Sequence, residues 1–197
     1  GKGVGNFLVV TLENGVGSGF VVNGQLVRGN LGIASEFGHM CIDPHGPVCR
    51  CGRRGCIEAY SGNNAIIRDS KKLIKKGLWN SEVSDPENLQ FADILAELKT
   101  GNEHLNDIYG EAGRILGVGI SNLIILFNPE LVIVTGKGVL AGDVLLGPMN
   151  KAVEELKSDR FGCFTAELVI HTWTDGDWAR ESGTLVLQEI YKSPLMK

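Results

Sequence analysis

A chain of 197 residues that is 43% hydrophobic and 21% charged has the material for a substantial core, as one large domain or as one lobe of a bigger protein. Its formal net charge of −4 excludes a general basic nucleic-acid-binding surface, so any DNA contact falls to residues elsewhere. An odd cysteine count of five, no charged-then-apolar leader and no apolar run approaching a bilayer span point to a reducing cytoplasm, with free thiols in place of disulfides and no membrane partner.

Residues 6–12, NFLVVTL, form a β-branched apolar run that predicts a strand. In SGFVVNGQLVRG the pair Asn23-Gly24 stands between two apolar stretches and predicts a hairpin. Glycines, prolines and cysteines over residues 29–55 forbid long regular elements and predict an elaborated loop. Beyond Ile57 helices are expected: an amphipathic one in AIIRDSKKLIKKG stopped by Gly77, one in FADILAELK after a polar turn, and an apolar one over residues 105–127. PELVIVTG then predicts a buried strand, VLLGPMNKAVEELKS a helix, AELVIHT an edge or parallel strand, and ARESGTLVLQEIY a closing helix. This alternation implies an α/β layer structure with parallel strands.

Two glycine clusters carry open readings. Asn14-Gly15-Val16-Gly17-Ser18-Gly19 follows the first strand, where backbone amides could cradle a phosphate. It lacks a Walker lysine and leads into a strand, so a plain glycine-rich β-turn explains it equally well. Gly136-Lys137-Gly138 follows the buried strand, where open α/β sheets place ligands; a simple strand-to-helix turn is the alternative.

The stretch CRCGRRGC is more informative. Cys49 and Cys51 are one residue apart, Gly52 and Gly55 let the chain turn back, and Cys56 closes a small loop, so three thiolates can converge. His39, ten residues before Cys49 across a loop containing Pro44, Gly46 and Pro47, supplies a fourth ligand. A closed Cys3His set describes structural zinc, with Arg50, Arg53 and Arg54 offsetting the thiolate charge. A cysteine-rich turn without metal, or Cys41 as a competing ligand, remains open at this point; Cys163 reads as an ordinary thiol.

The segment ASEFGHMCIDPHGPVCRCGRRGCIEAY resembles the signature of the ROK family, which contains bacterial sugar kinases and sugar-responsive transcriptional regulators. The likeness extends to the first strand with its glycine turn, to ISNLIILFNPELVIVTGKGVL and to the last glycine-containing helix. It implies a ribonuclease H-like fold of the actin and hexokinase type, with a zinc loop at about residues 36–58 inserted. It implies zinc on His39, Cys49, Cys51 and Cys56, and sugar hydroxyls held by Glu36, His39 and Glu58. Carboxylates accept from vicinal hydroxyls, and a metal-bound imidazole can donate through its other nitrogen. Taken alone, Glu58 reads equally as a first-turn helix residue favoured by the dipole.

Family kinases carry an aspartate-and-glycine phosphate motif and a catalytic aspartate ahead of the region matched here, and these 197 residues contain neither. Residues 1–197 therefore resemble a C-terminal lobe. Where the kinases have a glycine-threonine-glycine turn for ATP, this chain has Glu13-Asn14-Gly15, and the later glycine pair has become Gly136-Lys137. A carboxylate facing a polyphosphate is repelled by roughly a kcal/mol or more. Glu13, Asn14, Gly15, Gly17, Gly136 and Gly138 thus describe a degenerate nucleotide site. The resemblance favours the regulator branch: a small carbohydrate effector, DNA contacted only through a domain outside this chain, and a homodimer or homotetramer. A sugar kinase is the enzyme alternative. An oligomerisation module built on Gly113, Gly117 and Gly119 is the third reading, and the run Lys71, Lys72, Lys75 and Lys76 is a solvated helix face.

Overall fold

The computed structural model describes residues 3–80, 83, 85–157, 164–172 and 176. Five strands form one mixed sheet in the order β3-β2-β1-β4-β5. They are β1 (Phe7–Leu12), β2 (Val16–Val22), β3 (Gln25–Leu26), β4 (Leu131–Thr135) and β5 (Glu167–His171). β1 pairs antiparallel with β2 and parallel with β4, and β4 pairs parallel with β5. The β2–β3 connection is the expected hairpin: Asn23 and Gly24 both take positive φ, 52° and 73°, as a two-residue turn matched to strand twist requires. Leu8, Val10 and Leu12 alternate inward on β1, opposite Val132 and Val134 of β4.

The helices are α1 (Glu58–Ser61), α2 (Asn63–Lys75), α3 (Phe91–Leu98), α4 (Glu103–Phe127) and α5 (Asp143–Lys157). α2 ends as Gly77 predicts: Gly77 N donates to Ile74 O at 2.9 Å and Leu78 N to Leu73 O at 3.0 Å, the paired bonds of a Schellman stop. The side chain of Asn102 caps α4 by accepting from Leu105 N at 3.2 Å.

The expectation that nothing approaches a bilayer span needs correction. α4, at 25 residues, is long and apolar enough by length and composition, because its scattered polar residues do not lower the average far. Its place is nevertheless the core, where Ile115, Leu116, Ile120 and Ile124 are at most 1% exposed. Its small residues serve that packing. A Cβ on Gly113 would stand 2.1 Å from Leu145 O and one on Gly117 2.4 Å from Met149 O, both on α5, while Gly119 backs onto Ile57 and Phe37. The glycines read as a possible interface are thus used within the fold. The closing helix expected from ARESGTLVLQEIY, and Cys163, lie outside the described residues.

Candidate functional site: a cysteine–histidine cluster beside a carboxylate-lined cavity

Residues 36–58 contain no strand or α-helix before α1 begins; a single 3-10 turn, Phe37–His39, and two isolated bridges, Cys41 with Cys56 and Val48 with Arg54, shape them. Two glycines make the shape possible. Gly55, at φ 64°, passes so close to Asp43 O that no side chain fits, and Gly38 lies against the Val16 carbonyl, where a Cβ would come within 2.0 Å. The loop thereby folds back on itself and docks on the start of β2.

His39, Cys49, Cys51 and Cys56 converge as the spacing predicts, with all four ligand atoms within 4.8 Å of one another. Cys49 Sγ lies 3.5 Å from His39 Nδ1 and Cys51 Sγ 3.7 Å from Cys56 Sγ. Those separations approximate the edges, roughly 3.6–3.8 Å, of a tetrahedron drawn with zinc–sulfur bonds of about 2.3 Å. The cluster can hold a metal ion. Cys41 is exposed and stands outside it. Of the three arginines expected to screen the thiolates, Arg53 hydrogen-bonds Cys51, whose pKa falls to about 6 through the Arg53 backbone and then its side chain, and Arg50 also feels the charge of Cys49. Burial pushes the Cys56 thiol up to about 12. Arg54 donates to Gly46 O at 3.2 Å, and Arg50 turns to Glu58.

Glu58 opens α1 as the acidic residue of its first turn, where the helix-dipole reading puts it, but its hydrogen bonds lead elsewhere. Its carboxylate bends back toward the sheet, where Oε2 accepts from Val16 N at 3.1 Å. Arg50 closes the other side, Nε donating to Oε1 at 2.5 Å and Nη2 to Oε2 at 3.2 Å. Burial alone would raise the Glu58 pKa; the Arg50 and Val16 hydrogen bonds and the Arg50 charge overcome it and hold the carboxyl below its ordinary range. With Nδ1 toward the cluster, His39 turns Nε2 toward Glu36 Oε2, 3.9 Å away. Glu36, His39 and Glu58 then line one cavity of about 380 Å³ together with Glu13, Asn14, Gly15 and Gly17.

The two glycine turns are not equivalent. The carbonyls of Glu13 and Asn14 accept from Asn63 N and Asn64 N at 2.8 and 3.2 Å, so the first turn already satisfies the amino end of α2. The second turn lies outside the cavity, with Gly136 and Gly138 packed on Leu12. It is tied to the first through Glu13, whose Oε1 accepts from Lys137 N at 2.9 Å. Lys71 and Lys75 pair with Glu87, and Lys72 with Asp69, as a solvated face would.

What the sequence does not show is the meeting at Glu58: Arg50 reads as a counter-charge for the thiolates and Val16 as one of the turn amides that could hold a phosphate, and only the fold brings both to this carboxylate.

Comparison with known proteins agrees with this architecture. The ROK family model matches residues 1–188. The chain is 33% identical over 156 residues to a glucokinase of Thermotoga maritima, covering 78% of this chain and 49% of that protein. It is 32% identical over 162 residues to the xylose repressor of Bacillus subtilis strain 168, covering 80% and 38%. A ROK family transcriptional regulator, a homologue of the Escherichia coli Mlc protein, superposes with a TM-score of 0.72 at 30% identity, over 86% of this chain and 42% of the other. The chain thus spans about half or less of the length of these relatives. The match along nearly the whole sequence places this chain in the ROK family, with its actin- and hexokinase-like α/β fold.

Proposed function

We propose that this chain is the C-terminal, sugar-recognising lobe of a ROK-type transcriptional regulator that acts as a homodimer or homotetramer in the cytoplasm. In this reading zinc on His39, Cys49, Cys51 and Cys56 fixes a loop that presents Glu36, His39 and Glu58 to the hydroxyls of a small carbohydrate. When bound, the metal supplies a fixed anchor and no reaction chemistry. His39 would use one ring nitrogen for the metal and turn the other to the sugar, while the carboxylates accept from hydroxyls. The names of the glucokinase and of the xylose repressor each denote a sugar, which supports a carbohydrate for this cavity.

The observation that carries the regulator side is the Glu13 carboxylate on the Lys137 amide. An internal anion stands between the two turns that would cradle a nucleotide, which favours sugar sensing over phosphoryl transfer. DNA would be read by a domain outside these residues.

The test is an operator-binding titration of the whole protein with and without a panel of sugars. Glu58→Ala should weaken the sugar response about tenfold or more, because hydrogen bonds to a charged acceptor are lost, and leave sugar-free DNA binding nearly unchanged. An unaltered response overturns the assignment of Glu58. Sugar-dependent ATP turnover by the whole protein would move the conclusion to a sugar kinase.

A further inference from the structure

We infer that Arg50 is a displaceable latch: in the sugar-free chain its guanidinium holds both carboxylate oxygens of Glu58, and a neutral sugar binds by taking those acceptors from it. The inference rests on the sugar-site reading of Glu58 given above. Two parallel N–H···O contacts make the pair a two-pronged one. Among the described residues the Arg50 side chain has no other hydrogen-bond partner.

The two partners differ sharply in solvation, and that difference decides which of them can leave. The Arg50 side chain is 72% exposed and that of Glu58 7%. A guanidinium that leaves the pair moves into water that already surrounds most of it, so its release costs little. Glu58 cannot do the same. Left with the Val16 amide alone, a buried carboxylate would lack most of the donors that compensate its burial. Adjacent sugar hydroxyls supply two O–H donors of suitable spacing, so the exchange replaces one set of donors by another without stripping the carboxylate.

The cavities fit this exchange. Arg50, Glu58 and Asn14 line both the 380 Å³ cavity and a second one of about 260 Å³ that reaches Asn64 and Arg68. Arg50 is thus one of three side chains common to both, largely exposed and paired to Glu58. Gly15 contributes the room for the latch, since a Cβ there would lie 2.2 Å from Glu58 Oε2 and 3.4 Å from Arg50 Nη2. An independent reason for that glycine therefore exists beside the phosphate turn.

The experiment compares the whole wild-type protein with Arg50→Ala by calorimetric titration with glucose, xylose and N-acetylglucosamine, with bound metal per chain measured in both. The latch predicts binding about three- to tenfold tighter in Arg50→Ala at unchanged metal content, in line with the modest strength of an exposed ion pair. A second readout needs no variant: the Arg50 Nε–H proton resonance should be sharp and slow to exchange without sugar and be lost at saturation. Weaker or equal binding by Arg50→Ala where the wild type binds, or an Nε–H that stays protected in the saturated protein, overturns the latch alone. Failure of both proteins to bind any of the three sugars overturns the sugar-site reading and the latch with it.

Discussion

In the α4–α5 pair, shape comes from apolar surface: Leu116, Ile120, Leu145 and Met149 are at most 2% exposed, and glycines let the two helices touch backbone to backbone. In residues 36–58 there is less of this kind. Phe37 and Ile57 are the large apolar side chains buried there, and the rest of the loop is shaped by four clustered ligand atoms, two glycines and a carboxylate. The first region tolerates the loss of one contact because many others remain. The second has a few connections, each of which matters. On the zinc reading proposed above, metal ligation would supply the fixing that apolar burial gives the helix pair.

Metal removal should separate the two regions most strongly. With a strong chelator, amide exchange across residues 36–58 should rise by about a hundredfold or more, since a metal held by the proposed ligands would be coupled to local folding, while α4 amides keep their protection. Elemental analysis of protein purified without chelator should give one zinc per chain, and Cys56→Ser should reproduce the loosening. Equal loosening of α4 would break the distinction.

The converse substitution is Gly113→Ala. Alanine favours a helix by about 1 kcal/mol, but a methyl group 2.1 Å from the Leu145 carbonyl must force α4 and α5 apart. Overpacking of that kind costs about 1–3 kcal/mol, so the net change is destabilising, read as a lower midpoint in urea with metal stoichiometry intact.

The smallest effect belongs to neither region. Glu87, held at about 2 by hydrogen bonds from Lys75 and then Lys71, has a folded pKa below its ordinary value of 4.5. Its pairing therefore stabilises the fold fully above that ordinary value and fades as the pH falls toward 2. Glu87→Gln should lower the melting temperature slightly at pH 7 and not at pH 2, and leave both the metal and α4 protection unchanged.

What could be read from the sequence follows the range of the interactions. The hairpin at Asn23-Gly24, the stop at Gly77 and the convergence of Cys49, Cys51 and Cys56 are local, and residue type with spacing is enough to predict each. The family likeness, carried by residues 34–60 and by stretches along nearly the whole chain, reached the α/β fold of the actin and hexokinase type as well, while the alternation of elements alone suggested parallel strands and the sheet is mixed. The contacts that could not be read are those made across the chain. Val16 meets Glu58 from 42 residues away and Glu13 meets Lys137 from 124, and neither pair has a pattern in the sequence. The pairing of Arg50 escapes the sequence for a related reason. Beside two cysteines an arginine looks like a counter-charge, and only the direction of the side chain adds Glu58 as its hydrogen-bond partner.

The bond from Lys137 N to Glu13 has a consequence best stated as a competition. A carboxylate tethered by its own chain at a donor behaves as a ligand present at an effective concentration of about millimolar or above. Any phosphate arriving from solution at the Lys137 amide has to displace an occupant that never diffuses away, and it brings its own negative charge toward the one it displaces. The selectivity of this corner of the molecule against anions is therefore fixed by covalent connectivity, and it does not vary with the concentration of the protein.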